Sequence, residues 1–460
     1  MSDGEIMMGA QDIGNFRAQI EQTKTIDTNS ITYKGIFSEY FFYCGKQEEK
    51  ELLTTDTSTA ITMNPLTKEK EYFLSFGLKS KYDGEGIKKY GRPSLNLMII
   101  LDISGSMSDS FRTDNDLNEN EKIASKLEIA KRAIIGLLSH LNDSDNFGMI
   151  LFDSVAEIFE NFGNWKEKNK EDILERMKSL KPRGGTNMEK GLSKGAKIIQ
   201  KFIEENQEDK TRESRIMFLT DAQPNLGRGT GTLIDLIEKY SEKRLFITFI
   251  GVGLDFNTEL MEILSKIKGT NYFSVQSSSE FLRKMDNDFD YIVTPIVYDL
   301  IVKVEGAKIL NIYGIPNSED AKNTIVTKIL TIMPSNYNEK NECKGSCFLL
   351  KMDPSVSDGI PLNISLSFKD KFGNPFDQKH SIIFPNFNEK EENIQIFEDS
   401  RVRKAVLLIR FVDLMKNLDL NKDESKEKAR KFSEHLISEM NIIGDEQLKK
   451  ENDLIQILLN

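Results

Sequence analysis

The 460-residue sequence predicts an α/β fold: a doubly wound, Rossmann-like domain with a β-sandwich-like module and a C-terminal helical segment. Three observations predict it. Apolar strand-like runs alternate with amphipathic helical stretches over 93–290, the texture of a mostly parallel sheet covered on both faces. After Pro295 the hydrophobic period changes to two, as in half-buried antiparallel strands. From Ser400 onward the period is helical again. The expected divisions are an N-terminal β-containing segment over 1–92, the α/β domain over 93–290, the β-module over 291–395 and the helical segment over 396–460.

In chain order, Tyr72–Leu78 is the clearest early strand. Leu95–Leu101, apolar except at Asn96, reads as a buried central strand. Lys126–Leu141 repeats Leu127, Ala130, Ile134, Leu138 and Leu141 at helical spacing. Phe147–Phe152 is a second buried strand, and Ala156–Phe162 its short partner. Helices are expected over Lys168–Leu180 and Met188–Glu205, and further strands over Ile216–Leu219 and Leu245–Ile250. Helices Thr258–Lys268 and Ser278–Asp288 flank a strand at Asn271–Val275. In the β-module, Ile296, Tyr298, Leu300, Val302 and Val304 share one face, and Leu362, Ile364, Leu366 and Phe368 repeat that alternation. Strands within 30–90 offer themselves as partners that would complete the sandwich around an inserted α/β domain. Val402, Ala405, Val406, Ile409, Val412 and Met415 form one helical stripe, and Phe432, Leu436 and Met440 another. A packed helical tail is the simplest reading of them.

Sixty-two basic and 73 acidic side chains leave a net charge of −11, which argues against broad binding to a nucleic-acid backbone. No run approaches the roughly 18–20 apolar residues that span a bilayer. The first ten residues lack the basic and apolar regions of a secretory signal, so a cytoplasmic location is expected. Three cysteines are too few for a disulfide scaffold. Cys343 and Cys347 are near enough in sequence to bridge, Cys44 stands apart, and reduced thiols are the simplest reading. His140, His380 and His435 are dispersed, which gives histidine-based catalysis little support.

The chemistry concentrates at three strand ends and loops. Leu97–Leu101 delivers Asp102, followed by Ile103, Ser104, Gly105 and Ser106. Ligand sites of open parallel sheets lie outside the carboxyl ends of strands. A loop rising there can turn the Asp102, Ser104 and Ser106 oxygens inward, and such oxygens suit a hard cation that keeps several waters. Arg183-Gly184-Gly185-Thr186-Asn187 offers a further hydroxyl from Thr186, and Ile216–Thr220 is an apolar strand that ends on Asp221. Taken singly, these are a helix cap or an ordinary turn. Taken together, in this order on an α/β frame, they point to one metal centre.

Over 93–290 the sequence resembles the von Willebrand factor A (VWA) domains. The resemblance is carried by Asp102-Ile103-Ser104-Gly105-Ser106, Gly184-Gly185-Thr186-Asn187, Leu219-Thr220-Asp221 and Ile250-Gly251-Val252-Gly253. All five positions of that family's metal-ion-dependent adhesion site (MIDAS) are matched. The resemblance implies that Ser104 and Ser106 are direct hydroxyl ligands and that Thr186 engages the ion in one conformational state. It implies that Asp102 and Asp221 hold the ion largely through waters. The ion expected is Mg2+, with Mn2+ or Ca2+ as alternatives, and the partner expected is a protein that supplies an Asp or Glu to it. The function read from this is adhesion or scaffolding without catalysis. A metal-dependent hydrolase or phosphatase is the competing class, but no second Asp stands two positions after Asp102 and no general base is evident. A scaffold whose metal site no longer functions is a further alternative. The acidic segment 109–122 resembles the start of a calcium loop, yet Glu119 stands where the turn glycine belongs, so it reads as a solvated insertion.

Overall fold

The computed structural model describes residues 13–460 apart from 27, 29, 46–50, 112–123, 207–210, 222–229, 254–263, 265–266, 276–277, 316–324 and 387–393. Most of the acidic insertion, and most of the helix expected over Thr258–Lys268, lie outside the described residues.

Two helices, α1 (Ile13–Thr23) and α2 (Tyr33–Glu39), precede the two-residue strand β1 (Phe41–Phe42) and a long hairpin, β2 (Leu53–Met63) and β3 (Lys70–Ser80). The α/β domain follows as β4 (Leu95–Asp102), α3 (Lys126–Leu138), β5 (Asn146–Phe152), β6 (Ala156–Asn164), α4 (Lys170–Lys178) and α5 (Met188–Asn206). It continues through β7 (Glu213–Thr220), α6 (Thr230–Glu242), β8 (Leu245–Val252), β9 (Asn271–Val275) and α7 (Ser278–Met285). Next come β10 (Val297–Glu305), β11 (Ile309–Tyr313), β12 (Ile325–Ile332), β13 (Cys343–Lys344) and β14 (Cys347–Met352). The last strands are β15 (Leu362–Asp370), β16 (Pro375–Ile382) and β17 (Gln395–Phe397), and helices α8 (Ser400–Asn417), α9 (Asp423–Ile443) and α10 (Lys449–Leu459) end the chain.

The α/β sheet has the order β6-β5-β4-β7-β8-β9, parallel throughout except for β6. Every residue of β4 is buried because the strand serves two cores at once. Leu97, Ile99 and Leu101 pack with Leu127, Ala130 and Ile134 of α3, whereas Met98 and Ile100 pack with Leu192, Ala196 and Ile199 of α5. That alternation explains why the strand reads as an unbroken apolar run. Helix α5 comes close to the sheet through Gly195, where a Cβ would stand 2.8 Å from Ile100 Cδ1. Because β5 lies on one side of β4 and β7 on the other, the strand order reverses between β4 and β7. This is the crevice where open α/β sheets place ligands.

Two antiparallel sheets form a second layer pair. The four-stranded sheet runs β12-β10-β15-β16, and the five-stranded sheet runs β11-β14-β3-β2-β17. Strands on both sides of the α/β domain therefore share one sheet, with Phe76 opposite Phe348 and Ala60 opposite Phe397. Leu74, Phe76 and Phe348 meet Leu300, Val302 and Leu366 between the sheets. The other face of the five-stranded sheet contributes Ala60, Phe73 and Leu349 to a core with α1, α2, α8 and α10. Among the described residues, no helix is long and apolar enough to cross a membrane.

Candidate metal centre

Strand β4 ends on Asp102, whose side chain is fully buried, as a polar group is only when it is satisfied. Its Oδ1 accepts the Ser104 amide at 2.8 Å, which curls the chain tightly back after the strand, and its Oδ2 accepts the Thr220 hydroxyl at 2.5 Å. Burial pushes the Asp102 carboxyl up to about 6; the bonds from Thr220 and Ser104 oppose that shift, and the nearby Asp221 charge adds to it. Thr220 is the last residue of β7, the neighbouring strand, so the side-by-side strand ends bring the two loops together.

Four of the five residues expected from sequence meet in a chain of contacts. The Ser104 and Ser106 hydroxyls are 3.2 Å apart, and Ser106 donates to Asp221 Oδ1 at 2.8 Å. Ser104 and Asp221 are buried, whereas Ser106 is exposed, so the cluster opens to solvent on the Ser106 side. The fifth residue, Thr186, is exposed and sits in a loop tied to the first by its backbone. The Gly105 amide donates to the Gly184 carbonyl at 3.1 Å, and the Arg183 amide to the Ile103 carbonyl at 2.6 Å. Gly184 takes φ +69, and a Cβ there would lie 3.2 Å from the Asp153 carboxyl carbon, so the turn needs glycine twice over.

Three further residues shape the site without having been read from the sequence as site residues. Lys126, nearly buried at the start of α3, donates to Asp221 Oδ2 at 2.9 Å. Thr220 fixes Asp102, as described. Arg183 pairs with Asp153 at 2.9 Å and Glu157 at 2.6 Å, which fastens the Gly184–Gly185 turn to the end of β5. Lys126 carried a faint signal as a lone cation directly after the helix-capping Ser125, whose hydroxyl accepts the Glu128 amide.

The donor set is two carboxylates with hydroxyls. No group of three or more His, Cys, Asp or Glu is gathered for a metal among the described residues. Two buried carboxylates, with the Asp221 charge near enough to add to the raised proton affinity of Asp102 and Ser106 at an open mouth, fit a hard divalent cation that keeps part of its water shell. They do not resemble a thiolate or imidazole site.

A family model described as von Willebrand factor type A domain matches residues 97–223. An uncharacterized protein of Synechocystis sp. is 29% identical over 191 residues, 42% of this chain and 40% of that protein. Inter-alpha-trypsin inhibitor heavy chain H1 of Mesocricetus auratus is 20% identical over 227 residues, 48% of this chain and 22% of its own length. The chain thus spans well under two thirds of the curated relatives it matches. A solved von Willebrand factor type A structure from Catenulispora acidiphila aligns over 89% of this chain and 90% of its own, with a TM-score of 0.50 and 12% identity, a likeness of fold. The matched segment covers the switch-point crevice and both carboxylate-bearing strand ends, and it places a von Willebrand factor type A domain within this chain.

Proposed function

We propose that the α/β domain binds one divalent cation of the Mg2+ type, with Mn2+ or Ca2+ as alternatives, and uses it to hold an acidic side chain of a protein partner. Asp102, Ser104, Ser106, Thr186 and Asp221 would hold the ion. The single observation that carries this reading is the contact chain Asp102–Ser104–Ser106–Asp221 at the β4/β7 switch point. When bound, such an ion supplies an electrophilic centre that a partner's Asp or Glu can reach, a charge-assisted contact at a partly desolvated rim. The chain's own residues set its strength. Thr220 and the Ser104 amide consume the lone pairs of Asp102 that face the protein, and the exposure of Ser106 and Thr186 leaves the mouth open to a partner. Among the described residues both carboxylates of the site are already engaged by amide, hydroxyl or ammonium donors, and adhesion or scaffolding without catalysis is the reading adopted.

One observation favours a second reading. The Lys126 ammonium already neutralises Asp221, as a structural domain that works without metal would require. Partner capture from an extract of the source organism separates the two. Wild-type protein in Mg2+ is compared with wild-type protein in EDTA and with Asp102→Ala. Adhesion through the ion requires partner loss in both of the latter, and retention in both would leave only the scaffold.

A further inference from the structure

A half-open cavity of about 170 Å3 lies at one end of the sandwich, between β2, β3 and β14 of the five-stranded sheet and β12 of the other. Leu53, Leu78, Ile329, Ile332 and Phe348 give it apolar walls, and Lys34 of α2 reaches its lining. The side-chain polar groups around it are satisfied within the protein, with one exception. The Ser80 hydroxyl donates to the Asp83 carboxylate at 3.1 Å, and the Ser80 and Ser335 amides each donate to it at 2.7 Å. Thr331 Oγ1 accepts the Gly269 amide at 2.8 Å, and the Ser335 and Ser346 hydroxyls are 2.8 Å apart. The Cys347 thiol donates to the Phe348 carbonyl at 3.8 Å. Lys34 is the exception: it is half-buried and, among the described residues, its side chain makes no hydrogen bond or ion pair. Burial with nothing to offset it pushes the ammonium well below the ordinary lysine range. Asp83, the one carboxylate of the lining, is spent on its three donors. An unpaired ammonium beside apolar walls is a costly arrangement, and an anion of the right size relieves it.

We propose that this cavity is a binding site for a small alkyl carboxylate, whose chain lies between the apolar walls and whose head group pairs with Lys34. The volume sets the length of the chain. An apolar cavity of about 150 Å3 admits benzene, so a ligand of about six to eight non-hydrogen atoms suits this one. The charge sets the head group. One ammonium matches a single negative charge, and a carboxylate accepts its N–H donors in a charge-assisted bond. A phosphate monoester carries nearly two charges and three strong acceptor oxygens, most of which would be left against leucine and isoleucine side chains. A neutral alcohol of the same length would fill the space and leave Lys34 unpaired. None of the residues that line the cavity falls within 93–290, so the site stands apart from the metal centre.

The test titrates hexanoate and 1-hexanol into the full-length chain by calorimetry, in EDTA so that no bound cation competes for the carboxylate. Hexanoate should bind once per chain and about tenfold more tightly than 1-hexanol, whereas Lys34→Met should bind the two alike. A footprint on the wild type reads the same contact. Reductive methylation with formaldehyde, mapped by mass spectrometry, should slow at Lys34 when hexanoate is present and continue unchanged at the exposed Lys88. No saturable binding of hexanoate up to about 10 mM, or equal affinity for hexanoate and 1-hexanol, would overturn the proposal. So would methylation of Lys34 that hexanoate leaves untouched, or undiminished hexanoate binding by a folded Lys34→Met. The footprint and the two-ligand comparison both use wild-type protein, so they decide the matter even where the variant fails to fold.

Discussion

Asp221 is held by two unlike donors, the Ser106 hydroxyl on one oxygen and the Lys126 ammonium on the other. An ammonium beside a divalent ion repels it, yet without metal the same ammonium compensates a buried carboxylate. Lys126→Met should therefore cost about 3 kcal/mol of stability in EDTA, recover about half of that deficit in saturating Mg2+, and bind Mg2+ about tenfold more tightly. Thermal melts at graded Mg2+ check this, and an equal cost in EDTA and Mg2+ would contradict it. The contact chain of Asp102, Ser104, Ser106 and Asp221 was legible because each stands at or just after a strand end, where local pattern and chemistry coincide, whereas Thr186, expected from its Gly-rich turn, is not part of that chain. Lys126 was not legible. Its partner lies 95 residues away, and within its own helix it is only the first residue of an amphipathic stretch.

At the scale of elements, α8 departs most from its sequence pattern. The apolar stripe Val402–Met415 predicts one buried face, but Arg401, Lys404 and Arg410 are buried as well. Each cation meets a distant carboxylate: Arg401 meets Asp56, Lys404 meets Asp445, and Arg410 meets Glu71. Such long-range pairs leave no periodic trace, so a charged position reads as solvent-facing when it is not. Arg401 also donates to Ser75 Oγ at 3.1 Å and the Tyr43 carbonyl at 3.0 Å. Arg401→Ala should cost about 3 kcal/mol or more in urea unfolding, and a loss below about 1 kcal/mol would contradict this role.

The turn after β3 offers a pH test. Burial pushes the Asp83 carboxyl up to about 6, against bonds from the Ser80 amide and hydroxyl and the Ser335 amide. Its folded value is raised above the unfolded one, so its contribution is fully present below about pH 4 and is lost as pH rises through about 6. Wild-type stability should therefore fall by on the order of 2–3 kcal/mol relative to Asp83→Asn between pH 4 and pH 8. Parallel pH profiles for the two proteins would refute this.

On the scale of the whole molecule, the chain leaves the sandwich after β3, builds the α/β domain and returns at β10 beside its exit. Arg92 joins the two crossings through Asp290 at 2.8 Å and Asp145 at 2.5 Å, and the Tyr291 hydroxyl donates to the Gly84 carbonyl at 2.8 Å. Beyond these crossings, the Gly269 amide donates to Thr331 Oγ1 at 2.8 Å and Lys268 pairs with Asp299 at 2.9 Å. The strand–helix alternation over 93–290 and the period-two strands after Pro295 made the fold class readable. The antiparallel register joining β3 to β14 did not follow from pattern, because alternation fixes a strand's face and leaves its neighbour open. The α/β domain holds both of its own cores and keeps both Arg92 pairs within its span. A fragment of residues 92–294 should therefore fold cooperatively and match the full chain's Mg2+ affinity within about threefold. Circular dichroism melts and titration calorimetry on the fragment check this.

The most direct test of the central claim is calorimetric titration of Mg2+ into metal-free protein, wild type against Asp102→Ala. Saturable binding of one ion per chain, abolished by the substitution, is the result predicted. Absence of binding at millimolar Mg2+, or binding that the substitution leaves unchanged, would contradict the assignment of these oxygens to a cation.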